Sequence, residues 1–166
     1  MDGASPIPDK LDGGPPAGKR SLRLWLRLLT CSSLIERRIS VRFREDFDTT
    51  LPRFDFLSAL DRRGELSLGE ISRLLMVTNG NITGLAARLK ADGLIEAGEG
   101  KGDRRAQYVR LTPEGARRFA EMAAAHERWI DSMLSGLPAE DADRLLDLLE
   151  TAKRSLQRAA NEGSPS

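Results

Sequence analysis

Residues 67–115 read SLGEISRLLMVTNGNITGLAARLKADGLIEAGEGKGDRRAQYVRLTPEG, and the change of period inside this stretch decides the fold. Ser67-Leu68-Gly69-Glu70 has the form of a capping box, in which the hydroxyl accepts from a first-turn N–H while the carboxylate reaches back to the cap residue's own N–H. It predicts a short helix whose apolar positions Ile71, Leu74 and Leu75 fall at helical spacing. The run breaks at Met76-Val77. Thr78 then stands as N-cap of a second helix, with Ile82, Leu85, Ala86 and Leu89 as its buried stripe and Asp92-Gly93 as its end. The opposite face carries Asn79, Gly80, Thr83, Gly84 and Ala87. These small and polar groups let a helix sink into a groove about 12 Å wide, the width of the major groove of duplex DNA. After Gly93 the period becomes that of strands. Leu94-Ile95-Glu96-Ala97 and Gln107-Tyr108-Val109-Arg110-Leu111 predict a paired ribbon, joined through the glycine-rich residues 98–102 and carrying Asp103-Arg104-Arg105 at its tip. Thr112 and Pro113 start another helix, as cap and first position.

A helical frame surrounds this unit. Leu22, Trp25, Leu26, Leu29, Ile35, Ile39, Phe43 and Phe47 predict a long helix over about residues 19–46. Thr50, Leu51 and Pro52 open the next, which turns Phe54, Leu57 and Leu60 inward and ends near Arg63-Gly64, with Glu65-Leu66 leading into the capping box. Beyond the ribbon, residues 113–135 place Phe119, Met122, His126, Trp129 and Met133 on one flank of a helix that Gly136-Leu137-Pro138 breaks. A last helix over about residues 139–156 carries Leu145, Leu146, Leu148, Leu149 and Leu156. That is more apolar surface than a single-layer terminal helix hides alone, so a partner chain is the expected cover. Residues 1–18 hold four of the eight prolines and four glycines and read as a disordered leader; residues 159–166, small and polar, read as a disordered tail.

At 166 residues the chain suits one globular domain with loose ends. Its formal net charge of +1 argues neither for nor against a polyanion partner, but the charge is unevenly spread. Residues 101–118 carry six basic side chains against Asp103 and Glu114, whereas residues 136–151 carry five acids against Arg144. Such segregation is expected if one surface meets phosphate. The single cysteine, Cys31, excludes an intramolecular disulfide, and the absence of a signal-like apolar stretch makes a reducing cytoplasm the expected home. Arg23 and Arg27 interrupt the one apolar run that might suggest a membrane span. A redox-sensor reading of Cys31 lacks a second cysteine to resolve a sulfenic acid, and His126 is the only histidine, so a multi-histidine zinc site lacks its ligands. The glycines of residues 98–102 join two strands instead of leading from strand to helix, and no nucleophile–base constellation stands out. An enzyme, a cofactor and a bound metal are therefore not expected.

The order long helix, helix, helix-turn-helix, two-stranded wing, long helix, final helix resembles the MarR family of bacterial winged-helix regulators. The match is carried by Leu51-Pro52-Arg53-Phe54, residues 71–75, Ile82-Thr83-Gly84-Leu85, Arg88-Leu89, Asp92-Gly93-Leu94-Ile95, Asp103-Arg104-Arg105 and Leu111-Thr112-Pro113-Glu114-Gly115. The resemblance implies a mainly α fold with a small β-ribbon, a winged helix-turn-helix flanked by a helical dimerisation region. It divides residues 19–158 into a DNA-binding lobe over about 50–112 and dimerisation helices over about 19–46 and 113–158. It further implies a homodimer on a pseudo-palindromic operator of double-stranded DNA, usually repressing and often released by a small ligand held between the helices.

Roles for single residues follow, each beside a plainer alternative. Arg104 and Arg105 at a ribbon tip can reach a minor groove, where negative potential is strong, or form only a solvated turn. The family pattern favours Arg105 for insertion and Asp103 for holding the tip. Asn79 and Asn81 suit adenine or a phosphate at the positive end of the helix, or else merely the cap. Thr83 can set its methyl against a thymine methyl, Thr78 stands in the same DNA-facing set although it suits capping better, and Arg73 and Arg88 suit phosphates or plain solvent. For an effector, Trp25, Phe43, Phe47, Phe54 and Trp129 offer apolar walls, with Ser32, Arg44 and His126 as polar anchors. The same residues equally describe an ordinary core or dimer interface. The resemblance extends, through residues 77–83, to relatives that sense aromatic acids or their coenzyme A thioesters, which implies a small aromatic or acyl effector. The rival to DNA binding is a winged helix used for protein contact.

Overall fold

The computed structural model describes residues 19–100 and 106–162, with side chains described through residue 159. Its elements run α1 (Arg20–Phe47), α2 (Leu51–Arg63), β1 (Leu66–Ser67), α3 (Leu68–Leu75), α4 (Asn79–Ala91), β2 (Ile95–Ala97), β3 (Tyr108–Leu111), α5 (Pro113–Leu134) and α6 (Ala139–Glu162). The chain divides into two compact units, one up to Arg128 and one from Trp129 onward, with the boundary inside α5.

In the first unit the predicted stripes are buried only in part, for Leu22 and Trp25 of α1 and Leu74 of α3 are exposed and Leu85 of α4 is half-buried. Ile39 and Phe43 of α1, Phe54, Phe56, Leu57 and Leu60 of α2, Ile71 of α3, Ile82, Ala86 and Leu89 of α4, and Phe119, Met122 and Ala125 of α5 are all buried, together with Leu66, Ile95 and Val109 of the sheet. Phe56 is fully buried, although the inward set predicted for α2 omitted it. The sheet has three strands, not the two expected, in the order β1-β3-β2, all antiparallel. Leu66 pairs with Val109 and Ser67 with Tyr108, while Ile95, Glu96 and Ala97 pair with Leu111, Arg110 and Val109. A two-residue strand has no alternation to read, and β1 exists only because β3 is there to pair with it.

Thr112 caps α5 as predicted: its Oγ1 accepts from the Gly115 N–H at 2.9 Å and donates to the Gly93 carbonyl at 2.6 Å. In the second unit, α6 buries none of its described residues, and Leu145, Leu146, Leu148, Leu149 and Leu156 are exposed. The helix also continues to Glu162, past the end near Leu156 and into the tail expected from residue 159 on. Ala159 and Ala160 are good helix formers that can extend a helix already nucleated, even without an apolar face to bury.

Candidate nucleic-acid interface

The capping box opens α3 as the sequence implies. Ser67 N–H donates to Glu70 Oε2 at 2.8 Å, and the Glu70 N–H donates to Ser67 Oγ at 3.3 Å. Hydrogen bonds from the Ser67 backbone and hydroxyl hold the Glu70 carboxyl below its ordinary pKa. The break between α3 and α4 is a left-handed residue, Met76, at φ 53°. Ser72 ties this turn from both sides, for its carbonyl accepts the Val77 N–H at 3.2 Å and its hydroxyl donates to the Val77 carbonyl at 2.6 Å.

Thr78 occupies the N-cap of α4 with extended backbone, but its side chain makes no capping bond. The capping role expected of its hydroxyl is therefore corrected, because Oγ1 does not meet the first-turn N–H groups. Those donors, at the positive end of the helix, remain suited to an anion. Asn79, Gly80, Asn81, Thr83, Ala87 and Arg88 are exposed along the outer side of α4, over the buried Ile82, Ala86 and Leu89. The Thr83 hydroxyl donates to the Asn79 carbonyl at 3.0 Å, so its hydrogen is spent on the backbone and its methyl is the group suited to an apolar contact. Arg73 is exposed on α3, with Nε donating to the Gly69 carbonyl at 3.3 Å.

The basic character read over residues 101–118 is largely offset where the structure describes it. Arg110 Nε meets Glu96 Oε1 at 2.8 Å across the β2–β3 pair. Arg117 forms a two-point pair with Glu114, at 2.9 and 2.6 Å, and also meets Glu121. Arg118 meets Glu121 at 3.8 Å, and Lys101, Asp103, Arg104 and Arg105 lie outside the described residues.

Two further contacts carried no local signal. Glu65 accepts from the Glu99 N–H through Oε2 and from the Gly100 N–H through Oε1, both at 2.8 Å. Arg53, in the first turn of α2, pairs with Asp92 at the C-cap of α4 and so ties α4 to the frame. The partners in each case are more than thirty residues apart, beyond the reach of any periodicity.

The proposed effector residues are only partly gathered. Phe43, Phe54 and His126 form one ring cluster, with the His126 ring 5.9 Å from Phe43 and 5.0 Å from Phe54, and Phe47 joins it 6.4 Å from Phe43. Phe43 is fully buried and Phe54 nearly so, which makes these rings core in this state. Burial lowers the His126 pKa and favours the neutral ring. Trp25, 57% exposed, precedes Phe43 by eighteen residues on one helix, about 27 Å along its axis, so the two do not line one site. Ser32 and Arg44 are exposed, the latter with Nε donating to the Ser40 carbonyl, and Trp129 is half-buried in the second unit. A concavity of about 430 Å³ lies elsewhere, between α4 and the sheet, lined among others by Thr83, Ala87, Lys90 and Ala97. Among the described residues no group of three or more His, Cys, Asp or Glu is arranged to hold a metal ion, and no helix is long and apolar enough to cross a membrane.

A short capped helix, a tied turn, a second helix with an open polar face and an antiparallel strand pair together define a winged helix-turn-helix fold. The MarR family model matches residues 47–106, the segment from the end of α1 through the wing. The chain is 29% identical over 148 residues to the transcriptional activatory protein BadR of Rhodopseudomonas palustris, covering 84% of each. A MarR family transcriptional regulator from Silicibacter pomeroyi superposes with a TM-score of 0.69 at 28% identity, covering 82% of this chain and 94% of that one. A mutant MarR from E. coli complexed with operator DNA superposes with a TM-score of 0.69 at 20% identity, covering 80% and 94%. In sequence over residues 47–106 and in fold over most of its length the chain is similar to MarR family regulators, a likeness that supports a DNA-binding transcription regulator.

Proposed function

We propose that the chain binds a pseudo-palindromic operator as a homodimer, with α4 in the major groove and Arg104 and Arg105 of the wing in the adjacent minor groove, and that it represses the promoter it covers. The exposed face of Asn79, Gly80, Asn81, Thr83 and Ala87 carries this reading, because an apolar stripe fixes α4 from behind while only small and polar groups face outward. Arg73 and Arg88 then serve as phosphate contacts, and Asp103 holds the wing tip. Two-fold symmetry puts the half-sites about one helical turn, roughly 34 Å, apart. Dimerisation is supported by the exposed leucines of α6 and by exposed Leu22, Leu24 and Trp25 on α1. The lobe over residues 50–112 is the DNA-reading part, residues 19–46 and 113–158 pair the protomers, and the cytoplasm is the compartment.

An aromatic or acyl effector, a coenzyme A thioester included, belongs to the same proposal, with Arg44 and His126 as anchors. The packed rings of Phe43 and Phe54 must part to admit it, which couples binding to the geometry of the frame. Repression is the element that BadR's name, an activatory protein, stands against, and run-off transcription decides the sign.

Fluorescence anisotropy on DNA from upstream of the chain's own gene, against scrambled DNA across a salt series, tests operator binding. Tight, salt-sensitive binding that prefers the upstream DNA is the expected result. Equal weak binding to both overturns a specific operator there.

A further inference from the structure

We propose that Glu65 is a positioning residue for the wing: its carboxylate takes the Glu99 and Gly100 amides and so fixes the backbone from which the segment carrying Arg104 and Arg105 continues. This rests on the reading that the wing arginines contact DNA. The last ladder bond runs from the Gly98 N–H to the Tyr108 carbonyl at 2.8 Å. The amides of the next two residues are both taken by one carboxylate, with an oxygen for each: Oε2 for Glu99 and Oε1 for Gly100. A single bond would leave the outgoing backbone free to rotate, whereas two charge-assisted bonds to one planar group define its heading.

The anchor is itself fixed. Gly64 N–H donates to the Leu60 carbonyl at 2.7 Å to close α2, and Leu66 pairs with Val109, so residue 65 is held between a helix end and a strand. Gly98 completes the fit. A Cβ at that position would stand 2.3 Å from Glu65 Oε2, so the carboxylate fills the space a side chain would need.

Charge gives the proposal a sign. A carboxylate beside a DNA-contacting arm repels phosphate, so if Glu65 acted only through its charge, removing it would tighten binding. A clamp predicts the reverse.

Operator affinity by anisotropy is measured for the full chain and for Glu65→Ala, Glu65→Gln, Gly98→Ala, Arg105→Ala and the double variant Glu65→Ala/Arg105→Ala. Glu65→Ala is expected to weaken binding about tenfold, Glu65→Gln less because its amide oxygen still accepts one N–H, and Gly98→Ala to resemble Glu65→Ala by displacing the carboxylate. The double variant should bind no more weakly than Arg105→Ala, since both remove the same contact. Hydrogen exchange should quicken at the Glu99 and Gly100 amides of Glu65→Ala while Ile82 and Leu89 stay protected, which separates a released wing from an unfolded lobe. Unchanged or tighter binding by Glu65→Ala beside a weakened Arg105→Ala overturns the clamp alone, as does additive loss in the double variant. An unchanged Arg105→Ala overturns the wing contact itself and with it the role given to Glu65.

Discussion

Gly115 owes its identity to a close approach: a Cβ there would stand 1.9 Å from the Leu94 carbonyl oxygen, where the first turn of α5 lies against the chain entering β2. Gly115→Ala forces two backbones apart, and a loss of about 1–3 kcal/mol in urea unfolding is expected. His126 shows how burial rather than a specific partner can make one residue pH-sensitive. Its folded pKa lies below the ordinary value of 6.5, so the unfolded chain binds the proton more readily. The associated stability is therefore complete above that value and is lost as pH falls below it. Urea midpoints compared between about pH 7.5 and 5.5 should drop for the native chain and drop less for His126→Gln.

The start of α3 is the element most directly readable from the chain, because all the partners of a capping box lie within four consecutive residues. Ser67→Ala removes the hydroxyl that accepts the Glu70 N–H and should cost about 1 kcal/mol of stability. The same contacts depress the Glu70 pKa, so their contribution is present above the ordinary glutamate value of 4.5 and is lost as pH falls through the lowered folded value. Acid titration followed by far-UV circular dichroism should show less loss of stability in this window for Glu70→Gln than for the native chain. Strand β1 and the Glu65 contact lie at the other extreme. Both depend on residues near 99–109 that meet residues 65–67 only after the ribbon has folded back, and neither leaves a periodic trace. The charge count over residues 101–118 misleads for the same reason, since Glu96 pairs with Arg110 from outside that window and Glu121 meets Arg117 from beyond its other end.

On the proposed function, the exposed leucines of α6 pair the protomers and the polar face of α4 meets DNA. Leu146→Glu with Leu149→Glu places charge on apolar positions that are 65% and 38% exposed in the single chain. Sedimentation should then report a monomer in place of a dimer, with operator affinity reduced because two half-sites are no longer held in register. Affinity measured across salt should fall steeply, and Arg105→Ala should lower the log–log slope by about one, the loss of one phosphate-region cation.

The apolar stripes of α1, α2, α4 and α5, the cap at Ser67, the break at Met76-Val77 and the Thr112-Pro113 start were legible in the amino-acid order alone, because each depends on residues a few positions apart and on the 3.6-residue period. The open face of α4, from Asn79 to Ala87, was legible as well, being the complement of its buried stripe. Folding alone decided that a third strand pairs with β3, that Arg53 meets Asp92, that Glu65 holds the Glu99 and Gly100 amides, that Thr78 leaves its helix uncapped, and that Phe43 and Phe54 pack as core while Trp25 stands away from them. The difference is one of range: a period or a cap is set by neighbours in the chain, whereas a long-range hydrogen bond, an ion pair or a packed ring exists only once distant segments have been brought within a few ångströms of each other.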